Sequence, residues 1–256
     1  MNQRDAIKFL TRDKYAGHAS HPEYEKDCRR IKNGEPLDYV IGWKPFLGVR
    51  IDLSEHPLIP RAETEYWLER ALCTEYLLKN TTRNTTVLDM FCGSGCIGIA
   101  IAKQCPFAAV TCVDNDIRMK KQVRRNVKIN GMSAARVLFR YSDVWDHVRG
   151  QFDIICANPP YIPQKRKKTL SKSVIKYEPH RALFGGTDGL VLIRKFLKKL
   201  AGYLRDGGVC YLEFDHGQVK KIEKLVARYG LKAEMKKDQY GRYRYAVIRK
   251  PAEESR

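Results

Sequence analysis

The chain of 256 residues is long enough for one α/β domain of about 200 residues and a small appendage. Hydrophobic residues make up 43% of it, which excludes a wholly disordered chain, and every apolar run is shorter than the roughly 20 residues of a membrane span. Residues 1–30 lack the apolar segment of a signal peptide, so we expect a cytoplasmic protein without membrane contact.

Basic residues outnumber acidic ones by 48 to 29, which gives a net charge of +19. Such an excess favours contact with RNA or with an RNA-associated partner. A solvated basic surface without a partner fits the charge equally well, and both interpretations remain open. The eight cysteines form no CxxC pair, so we expect reduced thiols and no metal site.

The pattern predicts three regions. A charged helical segment with an irregular middle covers 1–33, a β-hairpin linker covers 34–60, and an α/β domain covers 61–256. The hairpin is predicted from two β-branched runs, Tyr39–Trp43 and Val49–Leu53, on either side of Lys44-Pro45. A helix from Arg61 to about Lys79 follows, because apolar residues recur there at helical spacing.

Strands and helices alternate through the rest of the chain. The predicted strands are 86–90, 109–113, 137–140, 152–156, 209–214, 231–235 and 243–248, and the predicted helices are 96–104, 117–130, 190–204 and 219–229. This alternation is typical of a mostly parallel sheet with helices on both faces. The last two strands are expected to add an antiparallel hairpin at one edge, so the predicted fold is a seven-stranded, Rossmann-like α/β fold.

A glycine-rich turn joins the first of these strands to a helix. The segment Asp89–Gly95 contains Gly93 and Gly95, which allow positive φ angles and a close approach of a ligand to the backbone. We interpret this turn as neither the GxGxxG dinucleotide fingerprint nor a phosphate loop, which would continue with Gly-Lys-Ser or Gly-Lys-Thr. Taken alone, it fits both a cofactor-binding turn and a tight turn without a ligand.

Polar residues follow the next two strands. Asp114 comes about 20 residues after the glycines, where a carboxylate can accept hydrogen bonds from both hydroxyls of a ribose, while Asn115 and Asp116 can cap the following helix. Asp143 is placed to accept a hydrogen bond from an adenine amine, and Val144 to pack against the ring. Because the carboxyl ends of parallel strands meet at one edge, we expect the acidic groups at the ends of three successive strands to converge on one crevice.

The fourth strand leads into Asn158-Pro159-Pro160-Tyr161. Proline has no N–H and a fixed φ angle, so the backbone carbonyls of this segment remain free to accept hydrogen bonds. Asn158 Oδ1 and the Pro159 carbonyl could together accept both N–H bonds of a planar amide or amine, beside the aromatic face of Tyr161. A rigid turn without a ligand is the alternative, and we consider it the weaker one at this position of the sheet.

The chain resembles a known enzyme family in several segments. The turn at 89–95 resembles motif I of the class I S-adenosylmethionine-dependent methyltransferases, which share the Rossmann-like fold. Glu35–Gly42 and Leu58–Glu65 resemble the linker hairpin of the HemK/PrmC family, and 177–183, 188–190 and 212–218 resemble its downstream segments. The resemblance covers about residues 31–250. Members of that family methylate the glutamine of the Gly-Gly-Gln motif in class 1 peptide chain release factors.

The resemblance implies a cofactor, a partner and a set of site residues. The cofactor is S-adenosylmethionine and the protein partner is a class 1 release factor. The catalytic residues implied are Asn158, Pro159, Pro160 and Tyr161, and the cofactor-binding residues are Asp89, Phe91, Cys92, Gly93, Ser94, Gly95, Asp114, Asn115, Asp143, Val144 and Asn158. Two departures stand out: Phe91 replaces the family's usual first glycine, and only about thirty residues precede the linker.

Other functions share parts of this pattern. The Asn-Pro-Pro-Tyr tetrapeptide also occurs in methyltransferases that act on base amines of rRNA, tRNA or DNA, and an RNA-binding protein without catalysis is a third hypothesis. Basic residues crowd the second helix of the sheet domain and Lys165–Lys168, just after the tetrapeptide. They either guide an acidic surface or RNA to the site or form a solvated loop.

Overall fold

The computed structural model describes residues 2–73 and 85–251. The helices of this part of the chain are α1 (Gln3–Asp13), α2 (Tyr24–Lys32), α3 (Leu37–Ile41), α4 (Ala62–Cys73), α5 (Cys96–Gln104), α6 (Arg118–Ile129), α7 (Lys172–Tyr177), α8 (Val191–Tyr203) and α9 (Val219–Arg228). The strands are β1 (Trp43–Phe46), β2 (Val49–Asp52), β3 (Thr86–Met90), β4 (Ala109–Asp114), β5 (Val137–Tyr141), β6 (Phe152–Ala157), β7 (Leu204–Glu213), β8 (Lys232–Lys237) and β9 (Tyr243–Arg249).

Strands β3 to β9 form one sheet in the order β5-β4-β3-β6-β7-β9-β8. The first five are parallel, whereas β9 runs antiparallel to both β7 and β8. Their near-continuous apolar runs suit strands that are buried on both faces. The predicted seven-stranded α/β fold with an antiparallel edge hairpin is confirmed.

The two faces of the sheet carry separate hydrophobic cores. Val87 belongs to the core that also contains residues of α4, α5 and α6, and the next residue, Leu88, belongs to the core that contains residues of α8 and α9. Side chains of a strand alternate between faces, so one strand serves both cores. In the described residues, no helix combines the length and apolar character that a membrane crossing requires.

The linker hairpin differs from its prediction. The expected strand Tyr39–Trp43 is wrong, because α3 covers most of it and ends at Gly42, whose φ of 91° provides a left-handed helix C-terminus. β1 and β2 are antiparallel and turn at Leu47-Gly48, not at Lys44-Pro45. Pro45 lies inside β1, which a two-stranded sheet tolerates because both strands are edges.

The remaining helices and strands lie close to their predicted positions. The helical segment with an irregular middle consists of α1 and α2, and the helix expected from Arg61 to about Lys79 is α4, although 74–79 lie outside the described residues. β7 begins at Leu204, five residues before its predicted start. The loop after the tetrapeptide contains unpredicted helical turns, a 3-10 helix over Gln164–Thr169 and then α7.

Candidate functional site

The carboxyl ends of β3, β4, β6 and β7 meet at one edge of the sheet. Met90 pairs with Val113 on one side and Ala157 on the other, and Ala157 pairs with Leu212, so these strands end nearly level. Each strand is followed directly by a polar or glycine-rich segment. The topology therefore brings the predicted cofactor turn, Asp114 and the Asn-Pro-Pro-Tyr tetrapeptide together.

Three adjoining pockets form one cleft at this edge. The pocket beside Asp114 is lined by Phe91, Gly93, Asn115, Met119 and Leu192 among others. A second pocket lies against Gly93, Ser94 and α5, and a third lies against Pro159 and Tyr161. Asn158 and Leu58 line all three pockets. Asn158 is therefore at the junction between the Asp114 side and the tetrapeptide side of the cleft.

The backbone of the turn is left-handed at three positions. Phe91, Gly93 and Gly95 have φ angles of 61°, 50° and 78°. The N–H of Cys92 donates to the carbonyl of Val113, which fixes the turn to β4. A Cβ atom added at Gly93 would meet nothing within 4 Å, so the backbone here borders open space. The turn leaves room for a ligand against its main chain.

A third glycine of this segment corrects the sequence interpretation. Gly93, Gly95 and Gly98 do have the GxGxxG spacing, so setting that fingerprint aside was wrong as far as the glycines are concerned. A Cβ atom at Gly98 would lie 2.8 Å from Cys112 Sγ and 2.9 Å from a methyl carbon of Val110. The third glycine therefore lets α5 pack closely on β4, the role it has in dinucleotide-binding turns.

Asp114 is the carboxylate of the cleft. Its Oδ2 accepts a hydrogen bond from the N–H of Gly93 at 2.9 Å, and its Oδ1 accepts one from the N–H of Asp116 at 2.8 Å. Burial raises the pKa of Asp114, and the two backbone donors oppose that rise. Asn115 lines the same pocket, while Asp116 accepts from the backbone N–H of Arg118 at the start of α6. Helix capping thus falls to Asp116, and Asp114 faces the cleft.

Four predicted cofactor residues do not line the cleft: Asp89, Gly95, Asp143 and Val144. Asp89 is fully buried behind the turn, where its Oδ2 accepts from the N–H of Gly98 at 2.9 Å, and burial raises its pKa to about 7. Asp143 is exposed and pairs with Lys195 at 2.6 Å. Val144 is buried in the core on the α8 side of the sheet, with a φ of 53°. The structure therefore shows Asp89 supporting the turn and Asp143 in a surface ion pair.

Asn158 is held in place by Thr64 and Glu213, for which the only signal in the sequence was that they lie in segments resembling the family. Its Nδ2 donates to Thr64 Oγ1 at 3.1 Å, and the Thr64 hydroxyl donates to Glu213 Oε2 at 2.7 Å. Trp67 Nε1 also donates to this oxygen at 2.7 Å, and the Tyr161 hydroxyl donates to the other carboxylate oxygen at 3.0 Å. In the described residues, Asn158 Oδ1 makes no hydrogen bond. This oxygen is the free acceptor at the junction of the cleft.

The rest of the tetrapeptide is fixed by close backbone packing. A Cβ atom at Gly185 would lie 2.3 Å from the Pro160 carbonyl oxygen, and one at Gly189 would lie 2.1 Å from the Tyr161 carbonyl oxygen. The carbonyl of Tyr161 also accepts from Gln218 Nε2 at 3.0 Å. Within the described chain, the carbonyl of Pro159 accepts no hydrogen bond. It remains a second acceptor beside Asn158.

Two arginines join the loops that surround the cleft. Arg61 donates to both oxygens of the buried Glu178 at 2.7 and 2.8 Å, which ties the end of the linker to the loop after α7. Arg181 donates to the Asn115 carbonyl at 2.9 Å and pairs with Asp116 at 3.1 Å. Arg61, Glu178 and Arg181 all lie in segments that resemble the family, and this resemblance was the only feature of the sequence that pointed to them.

The basic clusters are only partly neutralised. Arg166 of the 3-10 helix pairs with Asp215 at 2.6 Å, whereas Lys165, Lys167 and Lys168 are exposed and make no ion pair with described residues. The β8–β9 hairpin adds the exposed aromatic ring of Tyr240. Among the described residues, no group of three or more histidine, cysteine or acidic residues could hold a metal ion.

Comparison with known proteins agrees with this arrangement. The sequence profile of the methyltransferase small domain matches residues 71–206. The release factor glutamine methyltransferase of Thermodesulfovibrio yellowstonii is 34% identical over 224 residues, which cover 87% of this chain and 78% of that protein. The corresponding enzyme of Streptococcus pneumoniae is 33% identical over 216 residues, covering 84% and 75%.

Solved structures support the fold. The ribosomal protein L11 methylase of Lactobacillus delbrueckii subsp. bulgaricus superimposes with a TM-score of 0.56 at 20% identity, covering 78% of this chain and 84% of that one.

Proposed function

Because this chain belongs to the release factor glutamine methyltransferase family, we propose that it transfers a methyl group from S-adenosylmethionine to the glutamine side-chain amide nitrogen in the Gly-Gly-Gln motif of a class 1 release factor. The observation that carries the proposal is the unpaired Asn158 Oδ1 at the junction of the cleft. It points to a substrate that offers N–H donors.

The Asp114 side of the cleft fits S-adenosylmethionine. The Asp114 carboxylate has lone pairs beyond those used by two backbone donors and can accept from ribose hydroxyls. Phe91, Met119 and Leu192 supply apolar walls for the base, and the open side of Gly93 admits the methionine part. When bound, the cofactor supplies an electrophilic methyl group on a sulfonium centre.

The tetrapeptide side fits a planar amide. Asn158 Oδ1 and the Pro159 carbonyl can accept the two N–H bonds of a glutamine side chain, which orients the nitrogen lone pair away from them. The amide nitrogen is a poor nucleophile because its lone pair is delocalised, so positioning has to provide much of the acceleration. Oriented reactions gain roughly 7–11 kcal/mol from positioning. Tyr161, fixed through Glu213, gives the amide a flat aromatic neighbour.

Asp89 and Asp143 have different places in this proposal. Asp89 acts through the turn, because its contact is with the Gly98 N–H and not with the cleft. A contact between Asp143 and the adenine amine remains a proposal from the sequence, and it would compete with the Lys195 ion pair. In this proposal, Cys92 and Ser94 contribute through the backbone of the glycine-rich turn, and Val144 contributes through packing.

Labelled methyl transfer separates this function from base methylation. The chain, labelled S-adenosylmethionine and a class 1 release factor should give a labelled protein, and replacing the motif glutamine with alanine should abolish the label. The alternative activity on a base amine in rRNA, tRNA or DNA predicts a product that nuclease removes. Label that survives the glutamine replacement, or that nuclease removes, would contradict the proposal.

A contact with RNA near the site is a further part of the proposal. Lys165, Lys167 and Lys168 follow the tetrapeptide, and Tyr240 and Arg242 are exposed at the turn between β8 and β9. Exposed basic residues suit a nucleic-acid backbone, and an exposed aromatic ring can stack on a base. Replacing the three lysines with glutamine should weaken binding to ribosomal RNA and reduce its salt dependence. A cytoplasmic location belongs to the same proposal.

A further inference from the structure

Asn158 can present either end of its amide to the cleft, and only one end suits the reaction. With Oδ1 in the cleft it accepts N–H bonds from the substrate amide, whereas with Nδ2 there it would place its own donors against them. The amide could in principle rotate by half a turn at little steric cost, because its two ends have nearly the same shape. Some other group must therefore decide which end faces the substrate.

Thr64 contacts the buried end of this amide. It lies on α4, is 2% exposed, and its Oγ1 is 3.1 Å from Asn158 Nδ2. A hydroxyl can accept or donate, so this contact alone would permit either orientation of the amide. What fixes the orientation is the direction in which the Thr64 hydrogen points.

Glu213 determines that direction. Its Oε2 is 2.7 Å from Thr64 Oγ1 and also accepts from Trp67 Nε1, while its Oε1 accepts from the Tyr161 hydroxyl. Burial raises the pKa of Glu213, and the hydrogen bonds from Trp67, Thr64 and Tyr161 oppose that rise. In its ionised form the carboxylate has no hydrogen to give, so each of these three contacts is donated to it. The Thr64 hydrogen is thereby committed to Glu213, and its oxygen can only accept from Asn158. A rotated Asn158 would place its carbonyl oxygen against an oxygen without a free hydrogen.

We propose that Thr64 and Glu213 are positioning residues that hold the Asn158 amide with its oxygen toward the cleft. Neither lies on the tetrapeptide, and the Thr64–Glu213 contact spans 149 residues of sequence. The same carboxylate holds the Tyr161 hydroxyl, so one buried group orients both polar side chains of the tetrapeptide. This inference rests on the proposed glutamine methylation and goes beyond it by assigning what makes Asn158 an acceptor.

Replacing Thr64 tests the inference with a nearly unchanged shape. T64V removes the hydroxyl and keeps the branched side chain, and T64S keeps the hydroxyl. We expect T64V to lower kcat/KM for a release factor about 10- to 100-fold, in line with the loss of one hydrogen bond to a positioned group, and T64S to restore most of it. Binding of S-adenosylmethionine should change less than about threefold in both variants.

The discriminating readout is binding of two peptides in the presence of S-adenosylhomocysteine. One contains the Gly-Gly-Gln motif, and in the other alanine replaces the glutamine. We expect T64V to weaken binding of the glutamine peptide to about that of the alanine peptide, and to leave the alanine peptide unaffected. General structural damage would weaken both peptides and lower the melting temperature. If T64V does not fold, T64A should show the same loss of selectivity.

The outcomes distinguish this inference from the proposed function. If the unaltered protein labels the release factor and T64V labels it as fast, with unchanged peptide selectivity, the positioning role is overturned while the function stands. If the unaltered protein does not label the motif glutamine, the proposed function fails and this inference fails with it.

Discussion

Replacing Asp114 with asparagine (D114N) should weaken cofactor binding and leave the substrate side of the cleft unchanged. The change keeps the size of the side chain but leaves one acceptor oxygen where the carboxylate has two. In the structure one oxygen accepts from the Gly93 N–H at 2.9 Å and the other from the Asp116 N–H at 2.8 Å. In the variant one of these donors would face an NH₂ group, and a buried donor without a partner costs about 1–3 kcal/mol of unfolding free energy.

The same replacement removes an acceptor for a ribose hydroxyl. Hydrogen bonds to charged groups contribute about 1.5–3 kcal/mol, so the Kd for S-adenosylmethionine should rise roughly 10- to 150-fold. Titration calorimetry measures the Kd, and thermal melting measures the stability. The control is D206N, which makes the same chemical change at an exposed carboxylate paired with Lys250 and should alter neither value. A D114N variant that binds the cofactor as tightly as the unaltered protein would refute the assignment of Asp114.

Three further predictions follow from single contacts. N158A should abolish methyl transfer and leave the Kd for S-adenosylmethionine within about threefold, because the acceptor that it removes serves the substrate amide; an active variant would disprove that role. G189A should lower the free energy of unfolding by about 1–3 kcal/mol and reduce kcat, because its Cβ would lie 2.1 Å from the Tyr161 carbonyl oxygen. The control is G230A, which has a similar φ but whose Cβ would lie in open space, and it should not affect kcat. Asp89 has a folded pKa of about 7 against an ordinary 3.8, so its protonated form is favoured in the fold and its contribution to stability is lost as the pH rises from about 4 to 7. D89N should therefore flatten the pH dependence of the free energy of unfolding in that window, by on the order of 2–4 kcal/mol; an unchanged slope would argue against a raised pKa.

Residues at strand ends could be placed from the sequence alone. Parallel strands end at one edge of a sheet, so Asp114 was expected in a crevice there before any coordinates. The same rule proved less useful for Asp143, because β5 is the edge strand of the sheet and its end lies beside Lys195 on α8. The rule predicts at which edge of the sheet a residue lies, but not how far that residue lies from the cleft.

Contacts between distant segments could not be predicted in this way. The Thr64 hydroxyl and Glu213 meet only because α4 packs on the sheet near the end of β7, and each residue alone resembles an ordinary polar side chain of a helix or strand. Gly185 and Gly189 likewise resemble loop glycines until the Pro160 and Tyr161 carbonyls are seen against them. Helix α3 was missed for a local reason. Its β-branched and aromatic residues favour a strand, whereas Gly42, in the left-handed conformation, forms the C-terminal end of a short helix.

Tandem mass spectrometry of a class 1 release factor, incubated with this protein and S-adenosylmethionine, locates the transferred methyl group most directly. We expect one added methyl group on the side-chain amide nitrogen of the glutamine in the Gly-Gly-Gln motif, and none when N158A replaces the unaltered protein. A methyl group on another residue, or its appearance only in co-purified RNA, would show that the cleft accepts something other than a glutamine amide.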